Sequence, residues 1–430
     1  MSIFDVEENQ INHMKVAVIG AGISGLYAGH ILTELGYDVS LFEASNRIGG
    51  RIATQTIHER LFLEMGAAEI HGNRSVIFEM LKHLDQKLEP IAGNEYVWYD
   101  QKLTDIDEAE RLPDTLQKLL DYFYSIEEEE YDGSILDSLK EKGIYHPNLK
   151  FIIRGMLSEY SAHVEKVHAS TLGEEEWRWS SGDKNYFSWG KYSAAVTYFE
   201  QKLKDKIQLN TPIVDVNYEG DQVSILTQKG ETLPFDKVIV SVSLGVLKEK
   251  KINFTPALPA EKQKAIEDIG FGKGRKLFIE FSEAFWEGDL VEIIGGKKCP
   301  SYLVRPSNPK HIVAYLMGEA SKELDQLEDD ELAEVLLNDL QEIFPHVEVM
   351  SMYVSHHGKD WTKDPFIKGT YSYSTKGTLE GRENLRHPIS NKVFFIGEAC
   401  RTNGHSATVH GAMETAEELA NNYFPDLKSV

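Results

Sequence analysis

Three glycines near the start of the chain, Gly20, Gly22 and Gly25, have the spacing GxGxxG, and Glu43 follows 18 positions after the last of them. The first glycine permits a tight turn, the second lets a pyrophosphate approach the backbone, and the third lets a helix pack closely on a sheet. An acid about 20 residues further on can accept hydrogen bonds from ribose hydroxyls. The residues therefore predict a dinucleotide site, although the same letters also fit a glycine turn beside a structural glutamate.

The elements around these glycines have the order that a dinucleotide site needs. The run "KVAVIG" has the length and the β-branched residues of a strand. In "AGISGLYAGHILTELG" the apolar residues recur at helical spacing, and Gly36 is a typical helix stop. "DVSLFEAS" predicts a second strand that ends near Glu43. A strand, a helix and a second strand place the glycines at a turn where the helix N-terminus faces the phosphates, which favours the dinucleotide interpretation.

The segment "RIGGR" after the second strand indicates which dinucleotide binds. Arg47 and Arg51 flank Gly49 and Gly50. A guanidinium group suits a pyrophosphate, and paired glycines let the backbone lie against a flat ring system. Nicotinamide enzymes do not usually carry this second segment. The pattern resembles the FAD site of the flavin amine oxidase family.

The totals of the chain limit its class. Its 430 residues favour two domains. A formal net charge of −24 argues against nucleic acid as a partner and favours attraction of cationic small molecules. No apolar run approaches about 18 residues, so we expect no membrane span. Cys299 and Cys400 form no CxxC pair, so we predict reduced thiols, a cytoplasmic location and no metal site.

The order of predicted elements indicates an α/β fold in which the chain crosses between two domains. We predict a Rossmann-type FAD-binding domain interleaved with an α+β substrate-binding domain. The first comprises residues 14–78, 206–250 and 388–430, and the second comprises 79–205 and 251–387; residues 1–13 form a lead-in without the features of a secretory signal.

Within the second domain, residues 80–205 are expected to be mostly helical and polar. Two acidic clusters in this part, Glu127–Glu130 and Glu174–Glu176, are interpreted as solvated faces rather than sites. A helix is expected from about Ser75, after a turn at Gly66 and Ala67.

The resemblance to flavin-dependent amine oxidases extends from about residue 14 to 425. This family includes polyamine oxidases, monoamine oxidases and the amine oxidase domain of histone lysine demethylases. The motifs that carry the resemblance are "VIGAGISGL", "FEASNRIGGR", "MGAAEIHG", "VIVSVSLGVLK", "INFTPALPAEKQKAIEDIGFGKGRKLFIEF", "FFIGEA" and "ATVHGA". "GAAEIHG" and "ATVHGA" are most similar to polyamine oxidases.

The resemblance implies a set of FAD contacts. Glu43 is expected at the adenosine ribose, Arg51 at the pyrophosphate and Glu398 at the ribityl or phosphate region. The backbone of Val214 is expected at the adenine. The backbones of Thr408 and Val409, at the start of the last helix, are expected at the pyrimidine end of the ring, where a helix dipole stabilises negative charge. Gly66 and Ala67 complete the predicted cofactor site.

The resemblance also implies three residues on the substrate side. Lys276 matches the family lysine that holds a water near the reactive flavin nitrogen, and Lys273 is a weaker candidate for the same role. His71, in "IHG", is expected near the path of the amine. Tyr371, in "GTYSYS", is expected as an aromatic wall beside the substrate amine. On residue type alone, a solvated lysine, a structural histidine and a core tyrosine remain open.

Three departures from the family pattern affect these expectations. Monoamine oxidases tether their flavin through a cysteine where this chain has Thr370, so FAD should bind non-covalently. Their second cage tyrosine corresponds to Thr408, so the aromatic cage should be incomplete. The loop Arg401–Ser406 is one residue longer than in typical polyamine oxidases, and His405 and Ser406 have no clear counterparts. The chain also lacks the inserted tower of a demethylase.

The function implied is the oxidation of an amine, most similar to polyamine oxidation, to an imine and then an aldehyde, with O2 reduced to hydrogen peroxide. One alternative is an L-amino-acid oxidase, which needs an arginine to bind a carboxylate; Arg154, Arg178 and Arg305 are candidates. A second alternative is a flavin-binding regulatory protein without turnover. The sequence leaves the exact amine, the oxidised side of its nitrogen and the oligomeric state open.

Overall fold

A parallel sheet gathers strands from distant parts of the chain. The computed structural model describes residues 14–58, 61–108, 111–188, 190–305 and 309–427, so the predicted lead-in lies outside the described residues. The five parallel strands, in spatial order, are β10 (Ile207–Gln208), β2 (Asp38–Phe42), β1 (Lys15–Ile19), β14 (Lys237–Val240) and β23 (Val393–Phe395). The strand, helix and strand predicted around the glycines are present.

Both faces of this sheet are buried, which explains why its strands are apolar without alternation. Val16 and Val18 of β1 belong to one hydrophobic core, whereas Ala17 and Ile19 belong to another. The α-helices of the described residues are α1 (Ile23–Glu34), α2 (Val76–His83), α3 (Asp114–Tyr124), α4 (Ile135–Glu141), α5 (Lys150–Met156), α6 (Ala169–Trp177), α7 (Lys191–Leu203), α8 (Leu244–Lys248), α9 (Ala260–Asp268), α10 (Glu319–Glu323), α11 (Asp329–Ile343), α12 (Val349–Met352), α13 (Thr378–Arg386) and α14 (Val409–Tyr423). Helices cover the first face of the sheet, where α1 packs against α7 and α14.

A second large sheet has seven strands and packs on α11. In spatial order its strands are β21 (Tyr353–Asp360), β17 (Gly274–Phe281), β20 (His311–Met317), β19 (Ser301–Val304), β18 (Leu290–Ile294), β7 (Asn94–Tyr99) and β8 (Lys102–Asp105). All neighbouring pairs are antiparallel except β18 with β7.

Smaller sheets complete the two lobes. The sheet on the second face of the parallel sheet contains β13 (Thr232–Phe235), β12 (Val223–Thr227), β11 (Ile213–Asn217) and β15 (Asn253–Thr255). The remaining strands are β3 (Thr54–His58) with β4 (Leu61–Glu64), β16 (Gly270–Phe271) with β22 (Ser372–Tyr373), and β5 (Glu69–His71) with β9 (Asn185–Phe187) and β6 (Glu89–Pro90).

Residues 80–205 contain the helices α3 to α7, as expected of a mostly helical segment, and they also contribute β7 and β8 to the seven-stranded sheet. One expectation for this segment is wrong. The acidic clusters are not solvated faces throughout: Glu129 and Glu175 are buried. The Glu129 carboxylate accepts a hydrogen bond from the Ser138 hydroxyl at 2.9 Å. The aromatic and β-branched residues of β7, NEYVWY, favour the strand that forms there.

Two other local expectations are confirmed. Helix α1 ends at Glu34, and Gly36 has φ +94°, the left-handed conformation that favours glycine after a helix. Helix α2 starts after Ser75, whose hydroxyl caps it by accepting the amide of Phe78 at 3.4 Å. Among the described residues, no helix is both long and apolar enough to cross a bilayer.

Candidate active site

A cavity of about 1420 Å³ opens at the carboxyl ends of the parallel strands and extends to the seven-stranded sheet. Ligand sites of doubly wound sheets lie at such strand ends. The cavity is lined by Gly20, Gly22, Glu43, Arg51, Gly66, Ala67, His71, Val214, Lys276, Tyr371, Glu398, Thr408 and Val409. The fold therefore brings together all predicted site residues except Gly25.

The glycines of the turn have two different roles. Gly20 and Gly25 allow close packing of the backbone, and Gly22 lies beside open space. Gly20 has φ +102°. A side chain on Gly25 would lie 2.1 Å from the carbonyl oxygen of Gly20, so this glycine permits the packing of α1 and is not a wall residue. A Cβ on Gly22, in contrast, would have no atom of the described residues within 4 Å, which leaves room for a ligand.

The carboxylate of Glu43 is fixed directly after β2. One of its oxygens accepts the amide of Ala21 at 2.8 Å and the other accepts the amide of Ser45 at 2.9 Å. The buried side chain thus joins the glycine turn to the end of the second strand, on the wall of the cavity.

The "RIGGR" segment packs against the glycine turn. The amide of Gly49 donates to the carbonyl of Ala21 at 2.8 Å, and a Cβ on Gly66 would lie 1.8 Å from the carbonyl oxygen of Arg51. The sequence suggested both Arg47 and Arg51 as partners of a pyrophosphate, but Arg47 does not line the cavity. Its guanidinium instead donates to the carbonyls of its own loop, including that of Gly50 at 2.6 Å.

Arg51 and Glu398, predicted at neighbouring parts of the cofactor, form an ion pair of 2.8 Å. The second carboxylate oxygen of Glu398 accepts the Ser372 hydroxyl at 2.6 Å and the Ala407 amide at 3.1 Å. Burial alone would raise the pKa of Glu398, but Arg51, Ser372 and Arg382 together hold it below its ordinary value. The carboxylate is therefore ionised and fully paired.

The N-terminus of α14 lies at the wall of the cavity. Thr408 is the N-cap, and its hydroxyl accepts the amide of Gly411 at 2.9 Å. Thr408 and Val409 both line the cavity. The positive end of this helix thus lies at the cavity wall, where it would stabilise negative charge on a ligand.

Lys276 is buried on β17, and its ammonium donates to the carbonyl of Gly66 at 2.6 Å. Burial, and next the charge of Arg305, lowers the pKa of Lys276 to about 8, against the opposing effect of Glu69. A lysine with such a pKa holds or releases a proton near neutral pH. Lys273, the weaker candidate, does not line the cavity.

Tyr371 has a partner that the sequence reasoning missed. The hydroxyl of Tyr315, on β20, lies 2.8 Å from the hydroxyl of Tyr371, and both rings line the cavity. Tyr315 is the register partner of Lys276, whose ammonium lies 5.3 Å from the centre of the tyrosine ring. The strand pairing, rather than any local motif, brings this tyrosine to the site.

Acidic side chains form the other missed feature. Glu95, Glu159, Glu176 and Glu292 line the cavity, and none has an ion-pair partner among the described residues. Burial is the main cause that raises their pKa values, and neighbouring carboxylates add to it: the pKa of Glu176 rises to about 7 and that of Glu292 to about 8.

Pairing across the sheet explains why no sequence signal marked Glu95 and Glu292. Glu95 and Glu292 are 197 positions apart, yet they are direct neighbours on β7 and β18. A cluster formed by two strands of different segments is invisible to local periodicity.

The geometry agrees with comparisons to known proteins. Residues 23–422 match the model of the family described as "Flavin containing amine oxidoreductase". The chain belongs to this family. It is a flavin-containing amine oxidase whose cofactor is FAD, and the predicted family and two-domain α/β fold are confirmed.

Individual relatives are similar over nearly the whole chain. Polyamine oxidase 4 of Oryza sativa subsp. japonica is 26% identical over 437 residues, which cover 95% of this chain and 88% of that protein. Polyamine oxidase 2 of Arabidopsis thaliana is 27% identical, with 93% and 86% covered. A solved putrescine oxidase double mutant superposes with a TM-score of 0.79 at 18% identity, covering 96% of this chain and 99% of the other.

The residues present fit FAD. The open space at Gly22, the fixed Glu43 carboxylate and the N-terminus of α14 provide a surface for phosphates, ribose and an electron-rich ring. Thr370 offers no thiol for a covalent tether, which supports non-covalent binding.

Proposed function

We propose that this amine oxidase acts on polyamines, with O2 as final acceptor and hydrogen peroxide as product. The observation that carries the proposal is the set of unpaired carboxyl groups in the same cavity as Lys276 and Tyr371. Carboxyl groups that line an enclosed cavity without counter-ions are costly, and a ligand that brings its own positive charges removes the cost. An aliphatic amine with several ammonium groups has this property, whereas a monoamine has only the nitrogen that reacts.

The carboxyl groups would hold the non-reacting ammonium groups. With pKa values of about 8 and about 7, Glu292 is mostly protonated and Glu176 partly protonated at neutral pH before a ligand binds, and both lose their protons when a cation arrives. Binding energy from this remote part of the substrate then orients the reacting carbon.

The reacting nitrogen has different requirements. FAD, when bound, supplies the acceptor for two electrons. Tyr371 and Tyr315 form an aromatic wall that excludes water and orients the amine. A low-dielectric wall lowers the pKa of the amine and favours its uncharged form. Lys276, tied to Gly66, is the group that would hold a water or a proton at this end.

The L-amino-acid oxidase alternative is less well supported. Of its three candidate arginines, only Arg305 lines the cavity. The guanidinium of Arg305 already forms an ion pair with Glu69 at 2.6 Å. Arg154 pairs with Glu323 at 2.9 Å and lies away from the cavity wall. A carboxylate substrate would also meet the unpaired acids.

Peroxide release by the purified holoenzyme tests the proposal. Spermine, spermidine, benzylamine and a set of amino acids are compared at equal concentration. We expect the polyamines to give the highest rates and amino acids to give none. Amino acids oxidised faster than polyamines would contradict the proposal.

A spectroscopic experiment tests the regulatory alternative. The yellow protein should bleach when spermidine is added without air and recover its colour when air returns. Protein that stays yellow with every amine would support flavin binding without turnover. We also propose a cytoplasmic location, which the two buried and unpaired cysteines support.

A further inference from the structure

Trp179 lies on the cavity wall and is contacted by three histidine rings. Its ring centre is 6.5 Å from that of His71, 5.2 Å from that of His405 and 5.4 Å from that of His410, and all three contacts are edge-on. The indole N–H donates to the carbonyl of Gly182 at 2.8 Å. The three ring contacts and the hydrogen bond together fix the orientation of the indole.

The two histidines behind Trp179 are themselves fixed by a hydrogen-bonded group, which we call the imidazole anchor (His405, His410, Ser181 and Glu414). His405 Nδ1 lies 2.9 Å from the carboxylate of Glu414, and its Nε2 lies 3.1 Å from the Ser181 hydroxyl. The same hydroxyl lies 3.0 Å from His410 Nε2. The amide of Ser180 also points to His405 Nε2, at 3.3 Å, so this nitrogen accepts and Nδ1 carries the proton toward Glu414.

The imidazole anchor is a support rather than a ligand site. One ligand atom each from His405, His410 and Glu414 lies within 4.8 Å of the others, a spacing that also suits a metal ion. However, Glu414 forms an ion pair of 2.8 Å with Arg401, and the Ser181 hydroxyl already joins the two imidazoles. The positive charge of Arg401 and the Ser181 hydroxyl between the two imidazoles both disfavour the binding of a cation.

The anchor reaches the cavity through Trp179. None of its four residues lines the cavity wall, whereas Trp179 does. His405 and His410 are buried. The position of His405 in the lengthened loop Arg401–Ser406 thus has a structural consequence that the sequence left open.

We propose that Trp179 sets the width of the cavity beside His71 and selects slender, unbranched amines, and that His405 is a positioning residue for Trp179. The inference rests on the proposed amine oxidation. A planar ring held by edge contacts and one hydrogen bond cannot move aside for a bulky substituent. An unbranched polyamine chain passes such a wall, and an aryl-substituted chain is excluded.

The test compares spermidine with its N-benzyl derivative in holoenzyme variants. In Trp179→Ala we expect the ratio of kcat/KM for the benzyl derivative to that for spermidine to rise about tenfold, with a smaller rise in Trp179→Phe. The matched control is Trp177→Ala, because Trp177 is 73% exposed and does not line the cavity. An equal ratio in Trp179→Ala and the control would overturn the assignment of Trp179.

The positioning role of His405 is tested with a double-mutant cycle. His405→Ala should raise the same ratio in the wild-type background and leave it unchanged in the Trp179→Ala background. His405→Asn, which can still donate to Glu414, should restore part of the selectivity. A loss of kcat for both substrates with no change in the ratio would show that His405 is only structural.

Binding measurements separate this inference from the proposed function. Perturbation of the visible flavin spectrum without air reports the dissociation constants of both amines, whether or not they are oxidised. If the wild type binds both amines and oxidises neither, while Trp179→Ala shifts the ratio of the constants, the proposed function fails and the inference stands. If the wild type oxidises spermidine and the ratio of the constants is the same in the wild type and in Trp179→Ala, the inference alone fails. An enzyme that neither binds nor oxidises either amine overturns both.

Discussion

The two ends of the cavity are built in different ways. At the cofactor end, backbone groups and fully paired charges form the wall: the turn at Gly20 and Gly22, the helix N-terminus at Val409 and the ion pair of Arg51 with Glu398. At the substrate end, unpaired carboxyl groups such as that of Glu292 form the wall, and their pKa values are raised.

Because of this difference, mutations at the two ends of the cavity should have different effects on stability and on binding. A paired and hydrogen-bonded wall is complete before its ligand arrives, so changes there should damage the fold and the retention of FAD together. A wall of unpaired acids is completed by the ligand, so changes there should weaken substrate binding while the empty protein becomes more stable. The following predictions test that contrast.

The largest effect is expected from Arg382→Met. Arg382 is fully buried, and its guanidinium joins Glu175 at 2.8 Å to the Ser372 hydroxyl at 2.8 Å, which in turn supports Glu398. Leaving the buried carboxylate of Glu175 unpaired should lower the free energy of unfolding by about 3–5 kcal/mol. Denaturant unfolding measures this loss of stability, and the ratio of flavin to protein absorbance measures the accompanying loss of FAD.

The control for this variant is Arg386→Met, on the same helix. The Arg386 side chain is 36% exposed and pairs with Glu383 and Glu418, so its loss should cost at most about 1 kcal/mol. Equal losses in the two variants would remove the distinction between the buried network and a surface pair.

Two glycine variants divide folding from cofactor binding. Gly25→Ala places a methyl group 2.1 Å from a carbonyl oxygen and should cost about 2–3 kcal/mol of stability. Gly22→Ala meets no protein atom within 4 Å, so the apoprotein should keep its Tm. FAD affinity should still fall at least tenfold, or about 1.4 kcal/mol, because the methyl group occupies the ligand space. Full FAD affinity in Gly22→Ala would show that the cofactor does not approach this residue.

Glu292→Gln tests the substrate end. Removing the charge should raise KM for spermidine about tenfold, or about 1.4 kcal/mol, and leave KM for benzylamine unchanged. Glu287→Gln is the matched control, because Glu287 is exposed and lies off the cavity wall. An equal rise for both amines would mean that Glu292 does not bind a distal ammonium group.

Glu292→Gln should weaken substrate binding but stabilise the folded protein. This gain in stability is the smallest of the expected effects. The folded protein holds the pKa of Glu292 at about 8, above its ordinary value of 4.5. The resulting stability is present below the unfolded pKa and is lost as the pH rises toward 8. Glu292→Gln should therefore raise Tm at pH 8.5 by about 1 °C for each kcal/mol recovered and leave it unchanged at pH 4. A Tm difference that is equal at both pH values would contradict the raised pKa.

Sequence reasoning reached the βαβ unit and the start of α2 because the requirements of these features are local. A glycine at φ +102°, a helix stop at Gly36 and a capped helix after Ser75 each depend on a few neighbouring residues. The exception is Arg47, which has a suitable charge but turns to its own loop carbonyls. The type of a residue did not determine where its side chain points.

The sequence by itself determined the βαβ unit, the dinucleotide turn and the family, because backbone conformation and apolar periodicity are written in consecutive residues. Only the tertiary structure decided which residues surround Lys276, His71 and Tyr371 at the substrate end. Glu95 meets Glu292, Tyr315 meets Tyr371, and Trp179 meets His405 across long stretches of chain. Their chemistry depends on burial and neighbouring charge, and these arise only when distant strands and loops pack together.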